Sequence, residues 1–132
     1  MCLLAFALHS HPNYKLVVAA NRDERYTRPS FFADWWSDHD GILAGRDAEA
    51  GGTWLGITRR GKIAAITNYW GGKNGGENAP SRGTLVQYYL AGTTRAEDFA
   101  DILAHQGHRY NGFNLVFGTV ERLYFYSNGT GS

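Results

Sequence analysis

The chain has 132 residues, 43% of them hydrophobic and 19% charged, a composition that fits one globular domain and excludes a disordered segment. A formal net charge of +1 with no basic cluster excludes a nucleic-acid role, and no apolar run reaches membrane-spanning length. One cysteine excludes an internal disulfide framework, and an apolar start without a basic flank is no secretory signal, so the expected setting is the cytoplasm.

Residues 2–8 and 16–20 are short, continuous apolar runs bounded by turn-forming residues, which predicts two strands buried on both faces. The segment His9 to Tyr14, with Pro12-Asn13 inside it, joins them as a hairpin. If Leu8 faces Lys15, Cys2 lies opposite Asn21, with Arg22 and Asp23 at the same sheet end. Phe31 to Asp40, with Trp35-Trp36, reads as an aromatic-anchored loop or short helix. Residues 53–58 and 62–68 form a second hairpin around Arg59-Arg60-Gly61, which sets Asn68-Tyr69 beside Gly51-Gly52-Thr53. Residues 71–83, rich in Gly and Asn, read as a long mobile loop over a site. Helices are expected at 84–90 and 96–105, the second capped by Thr94, and a last strand pair at 114–117 and 123–126. No repeat or domain boundary interrupts the chain, which reads as one domain over 1–132.

Chemistry concentrates at the start. Cys2 follows a Met that is readily trimmed before a small side chain, and trimming leaves a thiol and an α-amine on one residue. Such a residue carries both a nucleophile and a base titrating near pH ~8. Asn21-Arg22-Asp23-Glu24 follows the second strand directly, so the hairpin brings it to the thiol. An Arg there favours the thiolate and can fix a carboxylate or phosphate, and Asp23 can hold the amine. Asn68 and the Tyr69 N–H have the equipment of an oxyanion hole. Gly52 allows close backbone approach, to a ligand or within a tight turn. His105 and His108 lack further ligands in sequence, and no metal site is expected.

Taken together, Met1-Cys2, Ala20-Asn21-Arg22-Asp23-Glu24, Arg28-Pro29, Gly51-Gly52-Thr53-Trp54-Leu55-Gly56, Gly61-Lys62, Thr67-Asn68-Tyr69, Arg82-Gly83 and Tyr110-Asn111-Gly112-Phe113-Asn114-Leu115 form a pattern that resembles the NRDE family, also called the transport and Golgi organisation protein 2 family. The resemblance covers the whole chain. It implies an α+β, N-terminal nucleophile hydrolase-like fold, an αββα sandwich of two antiparallel sheets between helical layers. Members are longer, so the chain is expected to be an N-terminal portion with its sandwich incomplete at the C-terminus. Bile-salt hydrolases and penicillin V acylases, which this arrangement is similar to, share the Cys after Met and an Asn-Tyr like Asn68-Tyr69. They place an Arg three residues before the orienting Asp, whereas Arg22 and Asp23 adjoin. Asp23 carries over as the amine-orienting group; Arg22 carries over by analogy only.

Two functions follow from this reading. The first is hydrolysis of a linear, non-peptide C–N amide bond, with Cys2, Asp23, Asn68 and Tyr69 as catalytic residues and no cofactor. The second is a non-catalytic carrier of haem or an acyl-coenzyme A in the same cleft, with haem held without covalent linkage. Trp35, Trp36, Tyr69 and Trp70 would stack on a planar ligand, and Arg22, Arg28 or Arg82 would meet its anionic groups. Asn21, Glu24 and Gly52 complete the expected ligand-binding set. Partners are thus a small-molecule amide, haem or acyl-coenzyme A, with a homo-oligomer as a further expectation.

Overall fold

The structure is a computed structural model that describes residues 1–71 and 75–129. It is α+β with every strand pair antiparallel. Strands β1 (Leu4–Leu8) and β2 (Leu16–Ala20) form a separate two-stranded ribbon. Strands β3 (Ser30–Trp35), β4 (Ile42–Asp47), β5 (Leu55–Thr58), β6 (Lys62–Asn68), β7 (Phe113–Thr119) and β8 (Leu123–Ser127) make a six-stranded meander in chain order. Helices α1 (Gly83–Ala91) and α2 (Ala96–Gln106) cross between β6 and β7, α1 packing on β4 to β6 and α2 on β7 and β8. Among the described residues no helix is long and apolar enough to cross a membrane.

The core lies between the helices and the large sheet. In β7 the alternation of Phe113, Leu115 and Phe117 sends three fully buried side chains toward the helices. They meet Tyr89 and Phe99, whose rings sit 4.9 Å apart, and Leu103. Lys62 reaches under α1 and donates from Nζ to the carbonyls of Tyr89 at 2.9 Å and of Gly92 and Thr94 at 2.8 Å. Those carbonyls would otherwise lack partners at the helix end. This use of Thr94 replaces its expected cap role: Arg95 precedes α2 and no side chain caps it.

The ribbon and the start of the large sheet differ from expectation. The ribbon register is shifted by one residue, with Leu8 facing Leu16 instead of Lys15, and Leu4 facing Ala20. Phe31 to Asp40 is neither loop nor helix at its start, because β3 pairs there with β4 as an exposed edge strand containing a bulge between Phe31 and Asp34. Strand β4 was hidden by its polar end, Gly45-Arg46-Asp47, although Ile42 and Ala44 are core residues. Of the loop expected at 71–83, residues 72–74 lie outside the described set.

The ribbon also fails to be buried on both faces. Leu3, Phe6 and Val17 are 69%, 49% and 43% exposed. The ribbon stands over the side of the large sheet opposite the helices, and two hollows of about 740 and 590 Å³ are lined from both sides. Two strands bury too little to close that space, so apolar surface stays open beside unpaired ribbon edges. We expect the 132-residue chain to self-associate, with melting that broadens and shifts with concentration. A sharp, concentration-independent transition from a monomer in sedimentation would overturn this.

Candidate functional site

The ribbon's open end builds the site. Beyond the last ladder pair, Leu3 N–H donates to Asn21 Oδ1 at 2.7 Å, and Asn21 N–H donates to the Leu3 carbonyl at 3.2 Å. Asn21 Nδ2 also reaches the Met1 carbonyl at 3.2 Å. Asn21 therefore pins residues 1–3 against 21–23. The Asp23 N–H donates to Cys2 Sγ at 3.3 Å, and the terminal ammonium of Met1 pairs with the Asp23 carboxylate. The one-residue register shift leaves the expected neighbourhood of thiol, terminal amine and Asp23 intact.

Asp47, at the end of β4, is the structural hub. Its Oδ2 accepts from Arg22 at 2.8 Å and Arg28 at 2.7 Å, and its Oδ1 accepts from the Glu49 and Ala50 amides, both at 2.9 Å. Burial alone would raise its carboxyl, on a side chain only 11% exposed. The Arg28 hydrogen bond and the two amides outweigh that and hold it below the usual carboxylate range. Arg22 further lies 4.1 Å over the Trp54 ring. Arg22 and Arg28 are thus paired with Asp47 through one nitrogen each, and both also line the cavity beside Cys2. Asp47 was missed in sequence because a lone Asp ending a polar stretch looks like a turn residue. The informative signal was a single carboxylate facing two arginines of the connection between β2 and β3.

Cys2, Asp23, Glu24, Asn68 and Arg82 surround a cavity of about 90 Å³ floored by Trp54 and Ile66. Asn68, the last residue of β6, brings a side-chain amide that hydrogen-bonds no other described residue. Arg82 ends the loop before α1 and donates from Nη1 to the Gly112 carbonyl at 3.0 Å. Its backbone position is fixed by tight packing: a Cβ on Gly52 would lie 2.7 Å from the Gly83 carbonyl carbon. Gly52 thus serves close approach of backbone to backbone.

Other expected residues fall elsewhere. The Tyr69 N–H donates to the Gly112 carbonyl at 2.9 Å, so it is engaged and cannot serve the oxyanion. Tyr69 and Trp70 instead line a neighbouring hollow of about 490 Å³ that Arg82 also borders. Trp36 is buried under Arg46, with its Nε1 donating to the Ala44 carbonyl at 3.1 Å. Trp35 lies beneath Arg59. Neither tryptophan faces the cavity. No group of three His, Cys, Asp or Glu side chains suited to a metal ion occurs among the described residues.

A family model described as Transport and Golgi organisation 2 matches residues 1–132. The chain is 43% identical over 129 residues to the Homo sapiens protein named Transport and Golgi organization protein 2 homolog, covering 88% of this chain and 44% of that protein. To the Mus musculus Transport and Golgi organization 2 homolog it is 42% identical over 123 residues, with the same coverage of 88% and 44%. To the Drosophila melanogaster Transport and Golgi organization protein 2 it is 34% identical over 131 residues, covering 88% and 45%. The chain therefore spans less than half the length of these relatives.

Proposed function

The chain belongs to the Transport and Golgi organisation 2 family, and from that premise we propose that it carries the nucleophile half of an N-terminal cysteine amidohydrolase acting on a linear, non-peptide C–N bond in the cytoplasm. The observation that carries this reading is the meeting of terminal amine, Cys2 thiol and Asp23 carboxylate at one small cavity. The same reading takes the fold as an N-terminal nucleophile hydrolase-like sandwich, with ribbon and large sheet as its two facing layers.

Removal of Met1 transfers the α-amine to Cys2, where Asp23 holds it. The amine takes the thiol proton as Sγ attacks the amide carbon, and the Asn68 amide donates to the oxyanion. The amine then passes its proton to the leaving nitrogen, the C–N bond breaks and a thioester remains. Water adds to the thioester, its proton going first to the amine and then to sulfur, and the carboxylic acid departs. Glu24 and Arg28 frame the cavity without touching the reacting atoms in this scheme.

The test is the intact mass of the purified protein before and after iodoacetamide. The expected result is loss of Met1 and a single adduct on Cys2. Full retention of Met1, or a thiol that stays unmodified in the folded chain, would overturn the scheme.

A carrier of haem or acyl-coenzyme A is the second reading, favoured by Tyr69, Trp70 and Arg82 bordering one hollow. These residues fit a planar anionic group by stacking and charge. No histidine lines that hollow among the described residues, so iron would find no axial imidazole there.

A further inference from the structure

We infer that the cavity beside Cys2 takes a ligand bearing a compact anion, a carboxylate or a group of the same charge and size, and that Arg82 is the residue that reads it. The inference deepens the hydrolase reading and rests on Cys2 as the reacting group. It narrows the substrate class to amides with an acidic group a few bonds from the scissile carbonyl.

The charges around the cavity are paired at every site but one. Arg22 and Arg28 share Asp47, Asp23 takes the terminal ammonium, and Glu24 lies 3.8 Å from Arg25 and 3.9 Å from Arg28. Arg82 has no such partner. No carboxylate lies within 4.0 Å of it among the described residues, and every Asp and Glu of the chain is among them. Among the described residues its one side-chain hydrogen bond uses Nη1 on the Gly112 carbonyl, and the rest of the fork meets no other acceptor there. Burial lowers its pKa, with Glu24 offsetting in part and Arg28 adding to the fall. A guanidinium cannot shed its proton to escape that cost, so the stable remedy is an anion from outside.

Geometry sets the size of that anion. Arg82 and Cys2 line one cavity of about 90 Å³, room for a few water-sized groups. An acidic group on Arg82 and a carbonyl at Sγ must therefore belong to a short, contiguous piece of one molecule. The Gly112 bond and the Gly52–Gly83 contact hold the fork in place beforehand, which limits what binding must order.

Iodoacetate and iodoacetamide differ by one charge at nearly equal size, so their relative rates at Cys2 read the anion site directly. The probe ratio is compared with that of glutathione under the same conditions. Wild type is expected to favour iodoacetate by about tenfold over the free thiol, an advantage that fades with added salt. Arg82→Gln should return the ratio to the free-thiol value, and Arg82→Lys should restore part of it. A wild-type ratio equal to glutathione's overturns the inference. So does an Arg82→Gln variant that slows both reagents equally, since Arg82 would then serve the thiolate and not a ligand. If neither reagent modifies Cys2, the hydrolase scheme fails by itself. The anion site is then judged by NMR titration with N-acetylglycine and its neutral amide: preference for the carboxylate, lost in Arg82→Gln, sustains it, and equal binding ends it.

Discussion

Under the proposed hydrolysis, Cys2→Ala is expected to abolish turnover, by about 10⁴-fold or more, while leaving the fold intact. The size follows from the role: removing a nucleophile deletes the covalent route, and only binding and oxyanion donors remain. The fold should survive because Cys2 is half-buried at a ribbon end and receives one long hydrogen bond, from the Asp23 amide at 3.3 Å. The measurement is release of p-nitroaniline from a panel of N-acyl-p-nitroanilides by wild type, Cys2→Ala and Asn68→Ala. Asn68→Ala should retain a reduced rate, down by about 10²–10³-fold as for loss of one oxyanion donor. Wild-type turnover that persists in Cys2→Ala excludes the thiol. Haem or acyl-coenzyme A binding that survives Cys2→Ala and falls in Arg82→Gln, with no hydrolysis by wild type, favours the carrier.

Asp47→Ala is expected to cost about 3 kcal/mol of stability, the scale for breaking a buried ion pair by removing one partner. It leaves Arg22 and Arg28, side chains 19% and 21% exposed, without the carboxylate they share, Arg28 keeping only Glu24 at 3.9 Å and Glu49 at 4.0 Å. It also strips the Glu49 and Ala50 amides of their acceptor. Asp47→Asn should cost less, since one carboxamide oxygen can still accept. The pH dependence has a definite sign. The folded-state pKa of Asp47 is lowered, so its contribution is present above the ordinary carboxylate pKa of about 4 and is lost as pH falls through the folded value. Urea unfolding of wild type and Asp47→Asn should therefore show a gap at pH 7 that narrows below pH ~4. A gap that stays constant into acid would show that the charge of Asp47 contributes nothing.

Local signals made much of the layout legible. Hairpin counting found β5 and β6 as one pair, because a three-residue turn closing on Gly61 leaves little freedom, but their ladder ends at Leu55 facing Ala65, short of the expected pairing of Asn68-Tyr69 with Gly51-Gly52-Thr53. The longer loop at residues 9–14 left room for the one-residue error in the first pair. Both helices were found within a residue at each end because their apolar stripes are regular. Strands β3 and β4 escaped because β3 is an exposed edge and β4 ends in charges, so neither shows a clean period. At the site, neighbours joined by one hairpin were readable: Cys2 and Asp23. What hydrogen bonds do with each group was not. Arg22 turning to Asp47, and the Tyr69 amide committed to Gly112, are choices made by partners far along the chain.

The Asp47 hub has a consequence for how the chain tolerates sequence change. Its two oxygens tie the segment leaving the ribbon to the turn after β4, while the ribbon itself meets the large sheet across open hollows. Alignment of the reacting groups and packing of the ribbon are therefore separate tasks for separate residues. In a saturation scan, positions such as Phe6 and Val17 should trade freely among apolar side chains, limited by solubility. Arg28, Asp47 and Gly52 should accept almost no replacement even where the protein still accumulates. Two sensitivity classes would then lie within one small domain, divided by whether a residue answers to a contact area or to a single oxygen atom.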